Sequence, residues 1–341
     1  MTNSGLTDGI DRRAALGLGT GLGLAAFLAG CGVRTSNGGD DGGADYPQRA
    51  VELIVPFAPG GSTDLIARTL GKAIEKPLGH SMVIVNRDGA AAAVGTKEVA
   101  AAPADGYKVG FPPSSLFTLT PQLVRNADTV PLDDLRVVIG LTVENIVLVA
   151  HRDSPFKTLD DVIALKDSGR RITYGHSGVG TGAYFAQTAF YKLAGINAAD
   201  VPFGGGGPAV TAVLGKQVDI GASQPAESMR LVQSGELRWL GLFSQRRSPS
   251  LPELPTATEK GFDLVVDQAR FIAGPKSIPD RAVTTLQEAF REAVKAPEYG
   301  EFLKKNYIDR FEVEGTEVAG KIKGDFDRYQ VLIDRFGLQP K

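Results

Sequence analysis

The order of short apolar runs and helical spacings from Val51 onward limits the fold more than any other feature. Val51-Glu52-Leu53-Ile54-Val55, Met82-Val83-Ile84-Val85 and Lys108-Val109-Gly110-Phe111 read as strands, with helical patterns at Asp64 to Leu78 and Val94 to Ala102 between them. Strand, helix, strand, helix, strand is the order of a mainly parallel, doubly wound sheet. A β-rich stretch, Leu135 to His151, then reads as a crossover. A second set follows: strand from Ile172-Thr173-Tyr174, helix 181–194, strand Asp200 to Phe203, helix 208–215, strand Val218 to Ala222 and strand Leu237 to Phe243. The proline-rich stretch SPSLPELP (248–255) marks a boundary, Leu264 to Ala273 reads as a return strand, and 280–296, 297–306 and 315–335 read as helices. The prediction is two α/β lobes, each a mainly parallel sheet flanked by helices, joined by more than one crossing with a cleft between.

Length agrees, since 341 residues exceed one ordinary core. Thirty-seven basic residues nearly balance thirty-nine acidic ones, so the chain lacks the basic footprint of a nucleic-acid binder. The first thirty residues read as a processing segment to be set aside before fold reasoning. Arg12-Arg13 precede an uncharged stretch from Ala14 to Gly30, which ends in Leu28-Ala29-Gly30-Cys31. A leucine and two small residues before cysteine resemble a bacterial lipobox. The paired arginines resemble a twin-arginine signal, with Ala15 at that motif's apolar position, so the export route stays open. Cys31 is the only cysteine, and a thioether to lipid would consume it. Two acyl chains suffice for stable anchoring. The stretch 32–45 reads as a flexible tether, and the folded part begins near Tyr46-Pro47.

Several chemistries find no support. His80, His151 and His176 have no metal-ligand spacing, and no phosphate-binding GxxxxGK[ST] motif occurs. Gly175-His176-Ser177-Gly178-Val179 is the nearest approach to a nucleophile elbow, but Val179 stands where glycine is needed and no histidine follows His176. No cofactor and no metal are expected.

Forty-two glycines fall in clusters. Pro59-Gly60-Gly61-Ser62-Thr63-Asp64, Ser177-Gly178-Val179-Gly180-Thr181-Gly182 and Gly204-Gly205-Gly206-Gly207-Pro208 each open a predicted helix, and Pro113-Ser114-Ser115 follows a strand. Glycine lets a ligand approach the main chain, and helix starts offer free N–H groups and a positive dipole end. One such cluster alone is better explained as a self-capped turn, and Asp64 suits a helix cap better than a ligand contact. Three together point to a carboxylate held in a cleft. The first loop carries no Lys or Arg, and its first positive residue, Arg68, falls on a helix face that reads as solvated. Backbone N–H groups around Gly60 to Thr63 are therefore the expected holders.

The stretches YPQRAVELIVPFAPGGSTDLIARTL, VIVNRDGAAAAVGTKEVAAAPADGYKV, YGHSGVGTGAYFAQ, VPFGGGGPAVTAVLGKQVDI, GELRWLGLFSQRRSPSLPELPTATEKGF and GPKSIPD occur in this order. Together they resemble the substrate-binding proteins of tripartite tricarboxylate transporters, the Bug family, from Tyr46 to the C-terminal helices. The resemblance implies a two-lobed Venus-flytrap periplasmic-binding-protein fold of type II-like form. Lobe 1 would span 46–145 and 268–341, and lobe 2 146–267. It also implies a non-enzymatic protein that hands small carboxylates to a permease. Two loops would grip the carboxylate through main-chain N–H groups and waters: Phe57, Pro59, Gly60, Gly61 and Ser62 in the first, Gly178, Gly180 and Thr181 in the second. Ser114, Ser115, Gly205, Gly206 and Ser223 complete the expected ligand set. Gly204 to Gly207 depart from the family's third loop. Ser223-Gln224-Pro225-Ala226-Glu227 replaces a region where many members carry an ammonium-binding aspartate, which argues against an amino-acid ligand. Arg270 could pair a distal carboxylate, or serve as a solvated or interlobe arginine.

The reading is thus an exported, lipid-anchored monomer on the outer face of the cell membrane or in the periplasm, binding a di- or tricarboxylate for permease partners. A carboxylate sensor or carrier without a permease is the alternative, and an α/β transferase using the glycine loops for phosphate comes behind it.

Overall fold

The computed structural model describes residues 46–249 and 251–341. The leader, Cys31 and the tether lie outside the described residues. The chain runs β1 (Val51–Val55), α1 (Ser62–Leu78), β2 (Met82–Asn86), α2 (Ala93–Ala100), β3 (Lys108–Gly110), α3 (Ser115–Thr118), α4 (Thr120–Leu123), β4 (Leu135–Asn145) and β5 (Val147–His151). It continues through α5 (Leu159–Ile163), β6 (Ile172–His176), α6 (Gly182–Leu193), β7 (Ala198–Pro202), α7 (Gly206–Leu214), β8 (Ile220–Ser223), α8 (Pro225–Gln233) and β9 (Leu237–Leu242). The last elements are β10 (Asp267–Pro275), α9 (Asp280–Ala293), α10 (Pro297–Asn306), β11 (Asp309–Arg310) and α11 (Gly315–Arg335).

The strands form two sheets, a six-stranded one ordered β11-β4-β10-β3-β1-β2 and a five-stranded one ordered β7-β6-β8-β5-β9. The α/β class with two sheets is as expected, but "mainly parallel" needs correction, because both sheets are mixed. β1 pairs β2 and β3 in parallel, and β6 pairs β7 and β8 in parallel, as strand–helix–strand connections require. β10 runs antiparallel to β3 and β4, and β5 antiparallel to β8 and β9. The antiparallel part follows from the crossovers. β4 leaves the first sheet and becomes β5 of the second after the single residue Ile146, and β10 brings the chain back.

The crossing segments lie side by side: the Phe243 N–H donates to the Ile146 carbonyl and the Val266 N–H to the Phe243 carbonyl, each at 2.9 Å. α11 is a third link. Its Val318 and Ile322 pack with Ile54 and Phe271 of the first sheet, while Tyr329 and Ile333 pack with Leu148 and Ile220 of the second.

Burial explains the helices. α1 turns Ile66, Ala67, Leu70 and Ile74 onto Val51, Leu53 and Val55 of β1, the i, i+4, i+8 stripe of a helix on a sheet. It stops at Gly79, whose φ of 74° is left-handed. Each wholly buried Leu or Ile contributes about 1.5–3 kcal/mol, so such stripes fix where the helix begins. That start lies at the end of β1, where the first glycine loop must turn. α6 is set the same way after β6, by Phe185, Ala189 and Phe190 in the second core.

Candidate functional site

The first loop turns one of its main-chain donors onto its own side chain. Gly60 takes φ 84°, and its N–H donates to Oδ2 of Asp64 at 3.0 Å. The buried Asp64 also accepts from the Asn86 amide at 3.0 Å and from Nε of Arg68 at 2.9 Å. Burial works to raise the Asp64 carboxyl, but Arg68, the Gly60 N–H and Asn86 outweigh it and hold it below its ordinary value. Asp64 therefore serves the loop's own shape, and the half-exposed Arg68 is its ion-pair partner.

Two residues after Gly60, the Ser62 N–H donates at 3.1 Å to Oε1 of Glu227, which comes from the first turn of α8. The other Glu227 oxygen accepts the Gln224 N–H at 3.0 Å. Gly206, the first residue of α7, faces the same carboxylate so closely that a Cβ there would stand 2.0 Å from Oε2. Gly207 in turn lies against Gly60. The starts of α1, α7 and α8 thus converge on one anion, and that anion is the chain's own.

Behind it lies an ionic network. Ser62 Oγ donates to both oxygens of Glu144, at 2.7 and 2.8 Å. Arg270 pairs with Glu144 and donates from Nε to Thr63 Oγ1 at 2.8 Å. Burial raises the Glu144 carboxyl, opposed by the Arg270 charge and the Ser62 hydroxyl. Arg270 is 1% exposed, so it is not solvated; its charge is balanced from within. Leu141 is an extra residue in β4 opposite the Arg270–Phe271 step, a bulge of the sort found beside sites.

The second loop is likewise self-braced. Gly178 (φ 115°) donates its N–H to Nδ1 of His176 at 3.1 Å, and the Nε2 of that ring faces Asp200 at 3.4 Å. Burial lowers the His176 pKa against the pull of Asp200, and Nδ1 accepts the Gly178 N–H. Thr181 caps α6: its Oγ1 accepts from the Tyr184 N–H at 3.4 Å and donates to the Gly178 carbonyl at 2.7 Å. Gly180 must be glycine for room, because a Cβ would lie 2.9 Å from Thr120 Cα.

Two spaces remain between these loops, sharing Phe57 and Ser177 as a partition. The inner one, about 10 Å³, is bounded by Gly61, Ser62, Gly206, Glu227 and Arg270. The outer cavity, about 380 Å³, is walled by the 89–94 segment, Thr120, Val124, Gly178, Val179, Phe203 and Gly204. Of the residues expected at the ligand, Phe57 and Gly178 reach the outer cavity; Gly61, Ser62, Gly206 and Arg270 reach the inner gap. Pro59 and Gly60 are exposed, and Ser114, Ser115, Gly180, Thr181, Gly205 and Ser223 line neither space. Ser114 instead extends the β10 ladder through both its N–H and its hydroxyl to Ala269, and Ser223 meets Ser228 Oγ at 3.1 Å.

A family model described as "Tripartite tricarboxylate transporter family receptor" matches residues 66–338. The chain belongs to that family. A UPF0065 protein of Bordetella pertussis is 30% identical over 300 residues, covering 87% of this chain and 92% of that protein. BugT of the same organism is 30% identical over 329 residues, with 93% and 97% covered. A solved structure titled "periplasmic binding protein BugD" superposes with a TM-score of 0.82 at 27% identity, over 87% of this chain and all of that one.

Two parts of this receptor's site were not read from the sequence. The first is the Ala90-Ala91-Ala92 run on the outer wall, left-handed at φ 45°, 51° and 84°. Each such alanine costs about 1–2 kcal/mol, a strain typical of functional loops. Gly89 followed by four small residues was the available signal. The second is α8 with Glu227. The helix is short, nine residues, but Pro225 at the first turn and Glu three residues after Gln224 are helix-start signals.

Proposed function

We propose that this receptor captures a small organic carboxylate without catalysis and delivers it to the permease subunits of a tripartite transporter. The outer cavity carries the reading. It lies between loops of the two sheets, has the size of a small-ligand site, and offers main chain on two sides: the strained Ala90–Ala92 run and the Ser177–Val179 loop. Lys97 is the single cation among its lining residues, and it pairs with Asp128. An anion there would be met mainly by backbone donors, at about 1.5–3 kcal/mol per charge-assisted bond. Residues 46–145 with 268–341 would form one lobe and 146–267 the other, strapped by α11 and closing about the paired crossings at Ile146 and Phe243. The protein would act as a monomer, held to the membrane outside the cytoplasm through lipid on Cys31.

A thermal-shift panel of mono-, di- and tricarboxylates tests the central claim. A ligand at a hundred times its Kd should stabilise by about 2.7 kcal/mol. If no member moves the melting temperature, the carboxylate reading is wrong. Loss of radiolabelled palmitate from the Cys31→Ser protein tests the anchor.

A further inference from the structure

The inner gap adjoins the outer cavity, so the residue that fills it decides what part of a ligand can enter. We propose that Glu227 is a specificity-determining residue: it occupies the inner compartment as a resident anion, and the ligand is a carboxylate with one charged end and an apolar body lying in the outer cavity. This rests on the carboxylate reading above and narrows it.

Three observations carry the proposal. The first is occupancy. The Glu227 oxygens hold the Ser62 and Gln224 N–H groups, and they sit where any side chain on Gly206 would have to go. The second is room. A gap of about 10 Å³ accommodates one water and no carboxylate. The third is charge. Glu227 lines the compartment with Arg270, and Glu144 lies directly behind it, paired with Arg270 and bonded to Ser62, so two carboxylates already answer one guanidinium and a further carboxylate would face net repulsion in a poorly solvated space. Burial already lifts the Glu227 pKa to about 7, with Glu144 adding to the rise. The outer cavity offers no second cationic place either. Phe57, Ala91, Val94, Val124, Val179 and Phe203 give it apolar walls, which suit a hydrocarbon body.

Hexanoate and adipate are a matched pair, six carbons each, differing in the second carboxylate. Calorimetry on the purified protein at pH 8 should give at least tenfold tighter binding of hexanoate. Glu227→Ala empties the compartment and frees the Ser62 N–H, and should move the hexanoate-to-adipate ratio at least tenfold towards adipate. Glu227→Gln keeps the volume and removes the charge, and should move it about threefold the same way; it decides the matter if circular dichroism shows the alanine variant unfolded. Tighter adipate binding by the unmodified protein overturns the proposal, as does a ratio that stays within twofold in the folded variants. Failure of hexanoate to bind also overturns it, and the wider panel then shows separately whether the carboxylate reading survives.

Discussion

On one side of Phe57 and Ser177 the protein holds Arg270, Ser62, Thr63 and Glu227 around a gap of about 10 Å³, with Glu144 behind Arg270 and Ser62; on the other it leaves about 380 Å³ walled by small and apolar side chains. Both compartments are flanked by glycine loops at helix starts. In the inner one the donors are matched to the chain's own carboxylates, so its polarity serves folding. In the outer one strained backbone is left facing space. Glycine at a helix start therefore marks where an anion can approach, and the partner structure decides whether that anion is a ligand or a side chain.

The contrast breaks most severely at Arg270. Arg270→Ala leaves Glu144 without its counter-charge, and removing one partner of a buried pair costs about 3–5 kcal/mol. The urea midpoint should fall accordingly. A loss under about 1 kcal/mol would mean that the inner compartment is wet and its charges screened.

Gly206→Ala comes next. Its methyl must expel the Glu227 carboxylate, which then loses the Ser62 and Gln224 N–H groups, for about 2–3 kcal/mol. In a Glu227→Ala background the same change should cost less than about 0.5 kcal/mol, since the collision is gone and alanine favours the helix. Equal costs in the two backgrounds would show that Gly206 is needed for its backbone and not for Glu227.

These two sites also show what was legible beforehand. The strand–helix order of the first sheet and the three glycine-opened helices could be read directly, because period and turn residues are local. The antiparallel half of each sheet was not, since which strand β10 or β5 pairs with depends on crossovers between sheets. Arg270 was singled out, but its partner Glu144 lies far away in sequence, inside the β-rich crossover, and no spacing rule joins them. Glu227 was quoted within a stretch read for what it lacked. Its role depends on α8 bringing it to helix starts formed by residues distant in the chain, which is tertiary information.

The Glu227 carboxyl gives the comparison a pH axis. Its pKa is raised from an ordinary 4.5 to about 7, by burial first and then by Glu144, against the Ser62 and Gln224 N–H groups and Arg270. A raised folded-state pKa contributes stability that is whole below about 4.5 and is lost as pH rises through about 7. Glu227→Gln removes that dependence and leaves Glu144 and Arg270 in place. The unmodified protein should therefore weaken relative to the variant by about 2 kcal/mol between pH 4.5 and pH 8, with allowance for partial solvent screening. Urea midpoints for both proteins at the two pH values measure it. A difference that stays constant would place the ionised carboxylate in a well-solvated setting.

The smallest effect concerns the loop that faces the outer cavity. Thr181 is the N-cap of α6, and its hydroxyl also receives a hydrogen bond from Ser177 Oγ at 3.1 Å, while Ser177 and Gly178 line the cavity. Thr181→Ala removes a cap, worth about 1 kcal/mol, and loosens the Ser177–Gly178 corner without taking away a group that lines the space. The loss should appear in the melting temperature of the unliganded protein, with ligand affinity changed less than about threefold. A hydroxyl in contact with ligand would do the reverse. About 1 kcal/mol of lost hydrogen bond would weaken binding roughly fivefold and leave the free protein's melting temperature almost where it was. Melting and calorimetry on the one variant separate the two, and the second pattern would bring the ligand past the Ser177 partition to the helix cap.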